Sequence, residues 1–357
     1  MSTSVAVGED VAAALSVSTT FLSPLPDEGG NAVDYRNPER HVYSRYTTQN
    51  STRVEHILSQ VTDGLALTYS SGLAASYAAL VFFKPKRIAI TAGYHGCHAM
   101  IEVYRKAAPD VKVIKLDDDF ESGDLCWVET PLNPTGESRD IQYYADKVGG
   151  KLIVDSTFGP PPLQYPFKHG ADCVLHSATK YFGGHSDLLA GVLVVRTKEE
   201  WDILHNDRTY MGNTMGSLES WLLLRSLRTF HLRLPRQSET ATALVQWLQK
   251  IALTPAGQSF EGIAGGVLTK VFHSSLQGTD ARGFDPRTQM TGGWNATFSI
   301  QPATSLGGVE SLVEYRASWD PTSDPRAVRI SVGIEDLEDL KADIRQALGL
   351  VQVKSKL

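Results

Sequence analysis

The sequence predicts an α/β fold, a mainly parallel sheet with helices on both faces, followed by a smaller α+β domain. Two observations carry this. Residues 51–235 alternate helical spacing with short apolar runs, a pattern that buries best as parallel strands joined by crossover helices. After Pro235 the chain turns to a mixture of helix, short strands and a Gly/Pro-rich stretch from Gly278 to Gly293. The length of 357 residues exceeds the usual single-core domain, which points to two structural domains.

The elements follow in order. Residues 1–50 carry Pro24, Pro26, Gly29, Gly30 and Pro38 and few long apolar runs, so they are expected to form an extended arm. Such an arm buries too little to stay ordered alone and is expected on a neighbouring subunit. Residues 51–235 form the large domain. In it, Val54 to Val61 and Ser71 to Phe83 have helical spacing. Residues 87–91, 111–114, 125–129, 152–155, 171–175 and 191–195 read as strands. Glu129, Asp155 and His176 stand at three strand ends, where ligands bind in sheets of this kind. A helix is expected from Leu218 through Leu232, stopped by Pro235. Residues 236–357 form the small domain, with a strand at Ala296 to Ile300 and a terminal helix after Gly333.

Composition excludes several classes of protein. Hydrophobic content of 42% and charged content of 21% are ordinary for a globular enzyme. The net charge of −6, with no Lys/Arg cluster, argues against nucleic acid as a partner. Cys97, Cys126 and Cys173 are widely spaced, giving neither a disulfide framework nor a zinc site. The longest apolar runs, such as Leu188 to Val195, are too short to span a bilayer. The first basic residue is Arg36, which leaves no charged leader. A cytoplasmic enzyme is the expectation.

Residues 176–187, His-Ser-Ala-Thr-Lys-Tyr-Phe-Gly-Gly-His-Ser-Asp, carry the most chemistry. Lys180 follows the hydroxyls of Ser177 and Thr179, and the upstream strand ends in the carboxylate of Asp155. A lysine able to form a Schiff base, phosphate-binding hydroxyls and a counter-charge for a pyridinium together suit pyridoxal 5′-phosphate (PLP). Asp155 serves equally as a helix cap if no cofactor is present. Tyr69-Ser-Ser-Gly72-Leu73 opens a helix, and its free N–H groups with the helix dipole make a phosphate seat at Gly72 and Leu73, although Ser-Gly before a helix is often only a cap.

The remaining candidates are individually weaker. Tyr94 follows a strand and either stacks on a flat ring or belongs to the core. Asn133, between Pro131 and Pro134, is an amide held rigidly after a strand, close to where a ring oxygen would lie. Tyr43 and Arg45 lie in the arm, where the arginine either clamps a phosphate or is a surface residue. Arg329 is a charge inside an apolar strand and requires a partner. That partner is a substrate α-carboxylate or, structurally, Glu335 or Asp336. The histidines at 95, 98, 176 and 185 lack metal-ligand spacing, so no metal is assigned.

Taken together these motifs closely resemble the Cys/Met-metabolism PLP enzymes, a family of cystathionine γ-synthases, γ-lyases and their relatives. The resemblance runs from Ser18-Thr-Thr-Phe through Tyr43-Ser-Arg45, Ser71-Gly-Leu-Ala, Glu129-Thr-Pro-Leu-Asn-Pro and Val154-Asp-Ser-Thr. It continues through Ser177-Ala-Thr-Lys-Tyr, Leu222-Leu-Leu-Arg-Ser-Leu-Arg-Thr, Ser305-Leu-Gly-Gly-Val-Glu-Ser-Leu and Val328-Arg-Ile-Ser-Val-Gly-Ile-Glu-Asp.

The resemblance implies an aspartate-aminotransferase-like (type I) fold, a homo-oligomer assembled as a dimer of dimers, and a site shared between subunits. It further implies Lys180 as the Schiff-base lysine, Asp155 as the pyridinium partner, and Ser177, Thr179, Gly72 and Leu73 as phosphate ligands, joined by the neighbour's Tyr43 and Arg45. Tyr94 would stack on the ring and assist proton transfer, and Asn133 would lie near its oxygen. Arg329 would take the carboxylate of a small amino-acid substrate, with Ser305 nearby. The sequence departs from the family pattern at Thr304, Tyr210 and Val42, where polar anchors for the distal end of a large substrate are typical. The implied activity is γ-replacement on an O-acylhomoserine, with γ- or β-elimination of a sulfur amino acid as the alternative. A PLP-binding protein without turnover is the alternative from another class.

Overall fold

The computed structural model describes residues 11–22, 41–301, 310–315, 318 and 326–354. Helix α1 (Gln49–Thr62) precedes the strands of the main sheet and is capped by a reciprocal pair of hydroxyls at Thr48 and Ser51. Strand β1 (Leu65–Tyr69) leads into α2 (Gly72–Phe83), followed by β2 (Arg87–Ala89), α3 (His95–Arg105), β3 (Lys112–Ile114) and β4 (Leu125–Glu129). Then come α4 (Ile141–Lys147), β5 (Lys151–Asp155), β6 (Cys173–Ser177), β7 (Gly191–Val195), α5 (Lys198–Met211), α6 (Ser217–Leu227) and α7 (Phe230–Ala252).

The seven strands lie in the order β1-β7-β6-β5-β4-β2-β3. Strands β2 to β6 run parallel, and β7 is antiparallel to both of its neighbours. Every residue of β4 and of β7 is buried, as expected of strands covered on both faces. Alternate residues serve the two faces. Leu67, Trp127, Ile153, Leu175 and Leu193 pack with α2 and α3, whereas Ala66, Val128, Val154, Val174 and Val192 pack with α1, α4, α6 and α7.

The C-terminal region begins with a short hairpin, β8 (Ser259–Phe260) and β9 (Ile263–Ala264), followed by β10 (Val271–Phe272) and the short helix α8 (Pro286–Gln289). Strands β11 (Thr297–Ile300), β12 (Leu312–Tyr315) and β13 (Val328–Ser331) join β10 in an antiparallel sheet of order β10-β11-β13-β12, and α9 (Leu337–Lys354) closes the described chain. Phe298, Ile300, Val328 and Ile330 of this sheet continue the core that contains α7. Among the described residues no helix is long and apolar enough to cross a membrane.

Two sequence expectations are corrected. The segment Leu65–Tyr69, not among the expected strands, is a strand on the sheet's edge, paired along its length with β7. Pro235 does not stop the helix. The chain breaks earlier, at Arg228 and Thr229, and Pro235 lies inside the new helix α7. The carbonyl that loses its donor there belongs to His231, at an exposed position, which makes the loss tolerable. In the arm, Thr20 bridges Tyr43. The carbonyls of Ala13 and Ala14 accept from Trp221 Nε1 and Asn50 Nδ2 at 2.7 and 2.9 Å.

Candidate active site

Parallel register places the ends of β4, β5 and β6 side by side. Glu129 is the register partner of Asp155, and Ser177 that of Gly191 on β7. Asp155 is buried and accepts the Thr157 N–H at 3.0 Å. Burial raises its pKa, since little water is left to solvate the charge. His176 is a core residue. Its Nδ1 meets the Ser156 carbonyl at 3.1 Å, its ring packs edge-on to Phe182, and burial pushes its pKa down to about 3, so it is neutral.

Helix α2 starts directly above these strand ends. Ser71 caps it, its side chain and carbonyl taking the N–H groups of Ala74 and Ala75. The N–H groups of Gly72 and Leu73 are thereby left for a ligand. A methyl group added at Gly72 would stand 3.2 Å from Ser177 Oγ, so helix terminus and serine line one small cradle. Gly191 supports it from below, where any side chain would overlap the Ser71 carbonyl. Thr179 Oγ1 accepts the Ala190 N–H at 3.2 Å, tying the Lys180 loop to the start of β7.

Lys180 follows immediately. Burial first, and then the Arg329 charge, lower its pKa and favour the neutral amine. The loop after it is clamped by Arg233, which donates to the carbonyls of Tyr181 at 2.9 Å and Phe182 at 3.3 Å. Gly184, at φ +70°, makes room for that guanidinium.

The C-terminal sheet supplies the opposite side. Arg329 is buried on β13, donating to Asn133 Oδ1 at 2.7 Å and pairing with Glu314 Oε2 at 2.8 Å. Glu314 is its cross-strand register partner on β12. The structural partners expected from sequence, Glu335 and Asp336, are thus replaced by Glu314, and Glu335 instead binds the Ser311 side chain and backbone N–H. The turn after Asn133 is anchored to the same sheet, Ser299 Oγ donating to the Pro134 carbonyl at 2.7 Å.

The sequence placed Glu129 at a ligand-facing strand end without assigning it a task, and its carboxylate bridges two loops of the site. Oε2 accepts the Tyr94 N–H and Oε1 the Asn133 N–H, both at 2.7 Å. Burial and the charge of Asp155 raise its pKa while the two N–H bonds oppose the shift. Tyr94 caps α3 and is 41% exposed.

The arm residues stand apart. Arg45 Nη1 donates to the Thr209 carbonyl at 2.9 Å and its guanidinium lies over the rings of Tyr43 and Tyr46. Tyr43 and Tyr210 are 38% and 67% exposed. Thr304 and Ser305 lie outside the described residues.

A lysine, two hydroxyls, a free helix terminus and a buried carboxylate around one sheet edge form a donor set that fits PLP. The family model described as Cys/Met metabolism PLP-dependent enzyme matches residues 3–349. The chain belongs to this family. Its cofactor is PLP, and its fold is the aspartate-aminotransferase-like (type I) fold.

The family resemblance extends to both branches of its chemistry. The cystathionine gamma-lyase of Bacillus subtilis (strain 168) is 33% identical over 350 residues, covering 86% of this chain and 88% of that protein. The cystathionine gamma-synthase of Mycobacterium tuberculosis (strain ATCC 25618 / H37Rv) is 34% identical over 342 residues, covering 86% of each. Among solved structures, the cystathionine gamma-lyase CalE6 of Micromonospora echinospora superposes with a TM-score of 0.81 at 29% identity, covering 97% of this chain and 96% of that one. The chain is therefore a PLP-dependent enzyme of the trans-sulfuration type, a transferase or a carbon–sulfur lyase.

Proposed function

We propose that the enzyme catalyses γ-replacement on an O-acylhomoserine-type amino acid. The observation that carries this is Arg329, a buried cation steered by Asn133 into electrostatic reach of Lys180. A cation there receives an α-carboxylate and sets the α-carbon beside the lysine amine. Bound PLP supplies the electron sink for a carbanion.

The chain's own residues do the rest. Gly72, Leu73, Ser177 and Thr179 hold the phosphate. Asp155 holds the proton of the ring nitrogen, and Tyr94 covers the ring. Lys180, favoured as a neutral amine, takes the α-proton and carries it onward. Over the reaction the Cγ–O bond breaks, a bond from Cγ to the nucleophile forms, and the nucleophile's proton leaves with the departing carboxylate. Tyr43 and Arg45 complete the phosphate site of a neighbouring subunit in a homo-oligomer. The exposure of Tyr43 supports that role, as does that of Leu189 and Leu218.

Elimination from a sulfur amino acid is the second reading, favoured by the γ-lyase relative. A protein without turnover fits poorly with Lys180, Asp155, Tyr94 and Arg329 all present. Thr304 and Tyr210, in place of charged or amide anchors, favour a nucleophile smaller or less charged than cysteine. Profiling O-acetylhomoserine against cystathionine and methionine, with thiol, pyruvate and 2-oxobutyrate readouts, tests this. Thiol-dependent consumption of O-acetylhomoserine is expected, and Thr304→Glu is expected to raise the cysteine rate relative to simple thiols by about tenfold. Keto acid release from cystathionine without γ-replacement would overturn the proposal in favour of a lyase.

A further inference from the structure

Glu129 carries a side chain out of proportion to its packing role. It ends β4 with its carboxylate buried next to Asp155, a costly place for a second negative charge. Its two oxygens meet two backbone N–H groups from different loops, Tyr94 after β2 and Asn133 after β4. The approach is close on the Tyr94 side. A methyl group at Gly93, itself at φ +92°, would stand 2.6 Å from Glu129 Oε2, so that turn is built around the carboxylate.

A connected path results. Glu129 holds the backbones of Tyr94 and Asn133, Asn133 Oδ1 accepts from Arg329, and Arg329 pairs with Glu314. Only a carboxylate offers an acceptor to each loop. Glutamine would turn its NH2 toward one of the N–H donors, and aspartate falls one methylene short of spanning both.

We propose that Glu129 is a positioning residue, a two-ended fastener that sets the separation of Tyr94 from Asn133 and thereby the placement of Arg329. This rests on the roles given above to Tyr94, Asn133 and Arg329. Glu129 itself touches neither cofactor nor substrate in this scheme. It acts on two groups at once, the tyrosine that would cover the ring and the arginine that would take the carboxylate.

The test uses the PLP-loaded enzyme and the variants Glu129→Gln and Glu129→Asp. It reads the induced circular dichroism of the bound cofactor, its equilibrium affinity, KM and kcat, alongside the far-ultraviolet spectrum and Tm. Glu129→Gln is expected to keep its fold and its borohydride-trapped link to Lys180. Its induced dichroism should fall by at least about half, its kcat about tenfold to a hundredfold, and its KM should rise. Glu129→Asp, retaining one of the two bonds, should fall between the wild type and Glu129→Gln in each. In an Asn133→Ala background, Glu129→Gln should add little to KM, because the link to Arg329 is already cut, yet still weaken the dichroism through Tyr94.

Wild-type dichroism, kcat and KM in both Glu129 variants would overturn the proposal, as would a lowered Tm with all three unchanged. So would fully additive effects on KM with Asn133→Ala. If Glu129→Gln does not fold, Glu129→Asp decides by the same readings. A wild-type protein that binds no PLP would break the family assignment instead, and is recognised before any variant is compared.

Discussion

The floor of the site and its rim are built on different principles. The floor, Asp155, Ser177, Thr179, Lys180 and the Gly72 helix terminus, lies at strand ends and tight turns of one sheet. There Asp155 is buried, the other four positions are half-buried, and the loops are tied to their neighbours by hydrogen bonds. In the rim, Tyr43 and Tyr210 are exposed, and the half-buried Arg45 rests on a backbone carbonyl and two rings of its own chain. A floor of that kind is expected to be complete within a single folded subunit. A rim of this kind is expected to gain its function only when a second subunit covers it. Arg329 lies between these extremes, a buried side chain that bonds Asn133 and pairs with Glu314.

The largest effect should come from the floor. Lys180→Ala is expected to lower kcat/KM by about ten-thousandfold or more, because in the proposed scheme one amine serves both as cofactor anchor and as acid–base group. Borohydride should then fix no cofactor, which peptide mapping of the reduced protein checks. Residual turnover within tenfold of wild type would place the chemistry elsewhere.

Most of the floor was legible in the sequence for a physical reason. Its residues are consecutive or end strands, and their chemistry is in their side-chain types. What was not legible depends on register. The Glu314 partnership of Arg329 is a cross-strand pair fifteen positions apart in sequence, set only when β12 pairs with β13. Glu129 presents the same problem, because its two partners are backbone N–H groups that no residue type advertises. The strand at Leu65–Tyr69 was hidden by the Ser-Ser-Gly turn that follows it, and Pro235 misled because the break before α7 lies six residues upstream of it.

The intermediate region should show an intermediate loss. Arg329→Ala removes a charge-assisted contact worth about 1.5–3 kcal/mol and breaks the ion pair with Glu314. That corresponds to a loss of about tenfold to somewhat over a hundredfold in kcat/KM, chiefly through KM, measured by steady-state kinetics. A KM unchanged by the substitution would show that the α-carboxylate is held by another group.

At the rim the effect should depend on assembly. Arg45→Ala is expected to weaken PLP retention by about tenfold, measured by dialysis against phosphate. Each subunit's own fold and far-ultraviolet spectrum should persist. Mixing it with Lys180→Ala should restore part of the activity, since one of the shared sites then holds both intact residues. No recovery after verified subunit exchange would make the rim, like the floor, a single-chain structure.

The smallest effect concerns three buried, neutral histidines. Burial lowers His176 to about 3 and His205 and His273 to about 4. Unfolded, each takes up a proton near pH 6.5, so unfolding binds protons between those values. Their contribution to stability is full above pH 6.5 and is lost as pH falls toward 4, by up to about 1.4 kcal/mol per pH unit for each. Asp155 and Glu129, whose values are raised, act in the opposite direction. Comparing urea midpoints of wild type and His273→Gln from pH 4.5 to 7 cancels that carboxylate contribution. The variant should show the shallower loss toward acid, and parallel curves would show that His273 is protonated in the native protein.

Gly191 has a consequence for how this protein can be changed. Because no side chain fits between β7 and the Ser71 carbonyl, the start of α2 rests directly on sheet backbone. The anchor's height is therefore a fixed gauge, outside the reach of side-chain variation. Libraries that aim at new substrates have to vary other positions, such as Tyr210, and any lineage that replaces Gly191 must rebuild the whole approach to the helix before it can alter its chemistry.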